Sequence, residues 1–174
     1  MVTAVGTVSV DYRGLDLNTD LGPANNFIFR GQILSITEKK LGFCEIKVND
    51  ALYGTPAKAG QTIRMVTDQT SATRFGAQMK LLTGHEYFFL THVLLDSEKA
   101  DLKGAELCDV SLFDSIYAVM PILGASVYMN SQWLIPGAKA VDLPEFIGER
   151  GITSMVPMEQ FELEFRKLIA QYKK

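Results

Sequence analysis

From residue 27 to residue 113 apolar and polar side chains alternate in short runs, each closed by turn-forming residues. "FIFRGQILSI" (27–36) predicts a first strand, with Gly31 inside it. Glycine within a strand marks a bulge or sharp bend of the kind a barrel corner needs. "EKKLG" (38–42) is a charged turn, and Phe43–Val48 returns as a second strand. Cys44, Ile46 and Val48 share its buried face, while Phe43, Glu45 and Lys47 share the other, the period-two pattern of a half-buried strand. That pattern stops at Asn49-Asp50, which predicts the end of the strand there.

"GTPAKAGQ" (54–61) and "QTSATRFG" (69–76) are loops on either side of a third strand, "TIRMVT" (62–67). "GHEYFFLTHVLL" (84–95), aromatic and β-branched almost throughout, predicts the fourth strand. "DSEKADLKG" then turns back into a fifth, "AELCDVSLF" (105–113). Five short strands with almost no intervening helix predict a mainly β fold, a closed OB-type barrel of antiparallel strands. Ile46, Val48, Ile63, Phe88 or Phe89, and Leu90 are its expected core.

The chain ends differently. In "PMEQFELEFRKLIAQYKK" (157–174), Met158, Phe161, Phe165, Leu168 and Tyr172 recur at helical spacing. Pro157 suits a first helical position, Glu159 and Glu162 the early turns, and Lys173 and Lys174 the positive end. The expected organisation is a barrel with its N-terminal segment (1–120), then an extension (121–174) ending in an amphipathic helix (157–173) packed on the barrel.

The 174 residues are enough for a real core, and 47% hydrophobic with 21% charged residues is ordinary globular composition. A net charge of −3 provides no basic field for nucleic acid and no polybasic run for an anionic membrane. Ser115–Ala138 carries no charged residue. Its apolar part is interrupted and short of the ~20 residues a spanning helix needs, so a buried core segment is expected rather than a membrane span.

Catalytic chemistry finds few owners. The two histidines, His85 and His92, fall on opposite faces of one regular strand and cannot form a paired metal site. The two cysteines, Cys44 and Cys108, are not at metal spacing, and neither has the glycine-rich or helix-terminal setting that activates a thiol. "GTPAKAG" lacks the terminal Gly-Lys-Ser/Thr of a phosphate loop. No catalytic residues, no metal and no cofactor are implied, and the chain reads as a non-enzyme.

In order and spacing, "NNFIFRGQI", "CEIKVNDALYG", "GQTIRMVT", "GHEYFFL" and "CDVSLFDSI" resemble the barrel strands of the netrin-like domain, most closely those of the tissue inhibitors of metalloproteinases. Arg30 stands at that family's arginine position, and Cys108 keeps a family cysteine position. The resemblance covers residues 25 to 120. It implies a secreted protein-binding module whose partners are extracellular proteins, proteases among them. It also implies that the loop after the third strand (68–74) lies on the recognition ridge. The candidate contact residues are therefore Asp68, Gln69, Thr70, Ser71 and Ala72, with Trp133, in the uncharged Tyr128–Pro136 stretch, as a second surface.

The sequence departs from the family where the inhibitors chelate zinc. "TVSVDYRG" (7–14) stands where they carry Cys-x-Cys, and Phe75 replaces the cysteine of the loop after the third strand. Cys44 and Cys108 are accordingly expected to be thiols, and zinc-chelating inhibition is not expected. If the protein is exported, its signal has been removed ahead of residue 2. Two alternatives stay open: a bacterial or reduced-compartment OB-like scaffold, cytoplasmic or periplasmic, favoured by the scarcity of cysteine; and an oligonucleotide-binding OB domain, disfavoured by the negative charge.

Overall fold

The computed structural model describes residue 17 and residues 25–37, 42–67, 81–101, 107–112, 118–129, 135–140 and 154–172. In chain order the elements are β1 (Asn26–Thr37), β2 (Phe43–Tyr53), β3 (Thr62–Val66), β4 (Glu86–Val93), α1 (Asp96–Asp101), β5 (Val110–Leu112), β6 (Val119–Leu123), β7 (Ser126–Met129), β8 (Lys139–Ala140), β9 (Ser154–Pro157) and α2 (Met158–Tyr172).

The first five strands close on themselves in the order β1-β2-β3-β5-β4, with β4 returning to β1. This is a five-stranded barrel of the expected OB type with a C-terminal helix. One expectation is corrected: not every pairing is antiparallel. β3 and β5 run parallel, Met65 beside Val110 and Val66 beside Ser111. The order requires it, because β5 enters between β3 and β4 and runs antiparallel to β4.

β2 also runs past the polar pair that was expected to end it, through Asn49 and Asp50 to Tyr53. β1 pairs with its whole length through register shifts at Ile28/Phe29, Arg30/Gly31 and Ile33/Ser35, and the second of these leaves Asn49 as the extra residue of a bulge between Val48 and Asp50. Gly31 sits at one of these shifts. A Cβ there would lie 2.6 Å from Ile46 Cγ2 and 2.9 Å from the Lys47 carbonyl oxygen, so the two strands approach too closely for any side chain.

The expected core residues are all buried. The pleat of β4 separates two aromatic layers. Inside the barrel, Phe29 stacks on Phe27 (ring centroids 4.7 Å apart) and on Phe89 (5.2 Å), and Tyr87 tilts against Phe89 at 5.5 Å. On the outer face, Phe88 meets Phe161 of α2 at 4.6 Å and Phe165 at 6.3 Å. The helical stripe therefore does pack on the barrel, burying Phe161, Phe165 and Ile169. Each such side chain contributes roughly 2 kcal/mol, before the cost of ordering it.

The helix starts one residue later than Pro157 suggested. Pro157 is still in β9, paired with Ser126, and the Met158 amide donates to the Ala125 carbonyl at 2.7 Å. Lys173 and Lys174 lie outside the described residues.

The uncharged stretch enters the same sheet. β6 pairs with the first half of β4, from Glu86–Ile122 to Phe89–Val119, while β5 pairs with its second half. β5 and β6 thus lie end to end along one edge of β4. The β6–β7 hairpin then extends the sheet through β9 to β8. Where a turn was expected after β4, Asp96–Asp101 forms the short helix α1, its first turn tied by a Glu98 carboxylate that accepts from the Leu95 amide at 3.0 Å. β5 is correspondingly shorter than the 105–113 run, and Cys108 precedes it.

Candidate functional site

The loop singled out by the sequence joins β3 to β4; its outgoing foot is tied just before β2 begins and its incoming foot to Ile33 within β1. The outgoing foot is held by the Thr67 amide, which donates to the Gly42 carbonyl at 2.9 Å. At the incoming foot the Gly84 amide donates to the Ile33 carbonyl (2.7 Å) and the Ile33 amide to the His85 carbonyl (3.0 Å). The Gln32 side chain adds a bond to the Gly84 carbonyl at 3.0 Å, and the Leu82 amide donates to the Tyr87 hydroxyl at 2.9 Å. Gly84 takes a positive φ of 85°, which suits glycine at this tight entry to β4. The two described feet are thus fixed to strands of the barrel, and loops held on a rigid scaffold are the usual setting for recognition.

Asp68, Gln69, Thr70, Ser71 and Ala72 themselves lie outside the described residues, as does Trp133. The structure fixes where the loop departs and returns.

Other residues weighed from the sequence are placed clearly. His85 immediately precedes β4, while His92 lies near its far end, with Nε2 3.2 Å from Glu98 Oε2. Seven residues of strand put about 23 Å between them, too far to share a ligand. Among the described residues, no group of three or more His, Cys, Asp or Glu could hold a metal ion.

Cys44 and Cys108 are both buried thiols. Cys44 points into the barrel, whereas Cys108 packs with Val66 and Leu94 in a separate cluster that Phe43 flanks. Phe43 and Cys44 are adjacent and face opposite sides of β2, so the barrel wall stands between the two sulfurs. Burial pushes the Cys44 thiol up to about 12, which makes it a poor nucleophile at neutral pH. Tyr87 is likewise raised, mainly by burial.

No family model matches the chain, and no curated protein matches it in sequence. Function therefore has to be argued from the site itself. No described helix is long and apolar enough to cross a membrane.

Sequence reasoning missed a polar seam between α2 and the barrel. Arg30 on β1 bonds Glu86 on β4, and its Nε lies 3.6 Å from Glu162 of α2. Asn49 of β2 donates to the same Glu86 at 2.7 Å. Further along the helix, Arg166 pairs with Asp50 at 2.9 Å, and Asn26 bonds the Tyr172 hydroxyl. The sequence shows the individual polar residues but not their pairing. Arg30 and Glu86 are charged residues beside strongly apolar strand positions, and the polar Asn49-Asp50 pair marks a bulge within β2 instead of its end.

Proposed function

We propose that the protein is a non-enzymatic binding module, a netrin-like barrel related to the metalloproteinase inhibitors but without their zinc-chelating end, which engages a secreted or extracellular protein through the β3–β4 loop. The observation that carries this reading is the double anchoring of that loop, at Thr67–Gly42 and at Gly84–Ile33, on a closed barrel. Polar, hydroxyl-bearing residues held on such a base suit recognition of a polypeptide surface by hydrogen bonds.

The test compares the tagged wild-type chain with a Gln69→Ala, Thr70→Ala, Ser71→Ala triple variant in capture from a native extract. The reading expects weakened capture with an unchanged melting temperature. Undiminished capture moves the contact elsewhere, first to the stretch around Trp133. A matrix metalloproteinase assay at micromolar protein checks the second half of the proposal, and nanomolar inhibition that vanishes on N-terminal acetylation would overturn it.

One observation favours the second reading, an OB-like scaffold of a reduced compartment: two buried thiols on opposite sides of a barrel wall, with no disulfide between them. Cytosolic proteins keep such thiols reduced, whereas small secreted domains more often use disulfides.

A further inference from the structure

We infer that α2 is a strap that opens as a unit from a barrel that stays closed. The barrel's ring of strand pairings, β1 with β2 and β4, β2 with β3, β3 with β5, and β5 with β4, involves no residue of the helix. Its interior aromatic stack of Phe27, Phe29, Tyr87 and Phe89 lies on the opposite face of the sheet from Phe88, the residue α2 covers. Removing the helix therefore strips an outer layer and leaves the inner one packed.

The charges at the seam are arranged to survive that removal. Arg30 keeps Glu86 when Glu162 leaves, and Asn49 keeps its bond to the same carboxylate. No ion is stranded in an apolar setting, so opening avoids the large penalty that breaking a buried pair usually carries. Polar and aromatic links from helix to barrel also include the Arg166–Asp50 pair, in which Arg166 is half exposed, the Asn26–Tyr172 bond and the T-shaped Tyr53–Tyr172 contact. Once open, the strap uncovers Phe88, with Ile28 and Leu90 on the same face of the sheet by register. Opening also exposes Phe161, Phe165 and Ile169 of the helix, so it is a sub-global event of a contiguous cooperative unit and not a fraying of its end.

Native-state hydrogen exchange on the full chain tests the inference, with Glu162→Gln as the perturbation because it keeps the side chain's shape and removes its charge. In the wild type, the amides of Phe165, Leu168 and Ile169 should exchange at least about tenfold faster than those of Ile46, Val48 and Phe89, a difference of about 1.4 kcal/mol in opening free energy. In the variant the α2 amides should quicken by about twofold or more while the barrel amides keep their rates. A single opening rate shared by helix and barrel overturns the inference. So does a variant that quickens both sets equally, or one that leaves the α2 rates unchanged.

Discussion

Replacing Cys44 by alanine gives a direct measure of how dry the barrel interior is. The wild-type thiol is held protonated to about 12 in the folded chain, against an ordinary value of 9.0. The cause is burial alone, and the group is so little exposed that solvent screening offers no discount. An acid whose folded value is raised stabilises the fold fully below its unfolded value and loses that stabilisation as pH climbs towards the folded one. The loss therefore begins near pH 9. One unit above the unfolded value, at pH 10, it amounts to about 1.4 kcal/mol, and it approaches about 4 kcal/mol by pH 12. Cys44→Ala should cost roughly 1 to 2 kcal/mol at pH 7, from lost sulfur burial and the small cavity left behind. Urea unfolding of both proteins at pH 7, 8, 9 and 10 reads the difference, and keeping to pH 10 or below limits interference from Tyr87, which both carry. The stability gap should shrink by about 1.4 kcal/mol between pH 7 and 10, with most of the change above pH 9. A constant gap would show that the thiol ionises as easily in the fold as out of it, and that the interior is wet.

Four further outcomes rest on the same packing. Gly31→Ala should destabilise by about 1–3 kcal/mol in chemical denaturation, since its Cβ would press on Ile46 and the β2 backbone. Phe88→Ala should cost about 3–5 kcal/mol by emptying the layer between β4 and α2, whereas Asp50→Asn, at an exposed pair, should change stability by less than about 1 kcal/mol. A thiol reagent without reductant should find both cysteines in the unfolded chain, and the native chain should react far more slowly; a denatured chain with no reactive thiol would mean a bridge between Cys44 and Cys108.

The strands that build the barrel were legible because each has one wet face or clear turn chemistry at its ends. Cys44-Ile46-Val48 and the aromatic run of β4 announce themselves in this way. Where that signal fails, so did the reading. β6 is apolar on both faces, Val119 to Ile122 all being buried, and such a run carries no periodicity to tell strand from helix. β6 also carries an interior proline, Pro121, a residue that local rules keep out of central strands, paired here beside Tyr87. The parallel β3–β5 pairing depends on topology and has no local signature. Of the candidate site, the position of the β3–β4 loop was readable from turn residues. The seam was not, because Arg30, Asp50, Glu86, Glu162 and Arg166 come from four elements that only the folded chain brings together.

The end-to-end arrangement of β5 and β6 on β4 bears on how the chain can be shortened. β5 covers only the second half of that strand's edge, and the first half, Glu86 to Phe89, finds its hydrogen-bond partners in β6. A chain cut after the barrel sequence, near residue 117, would contain all five barrel strands and still leave that half-edge bare. Tyr87, Phe88 and Phe89 would then offer their backbone groups to any passing strand, in an aromatic and β-prone segment without proline. Besides the core residues it contributes, the β6–β7 hairpin therefore occupies an edge that would otherwise template aggregation.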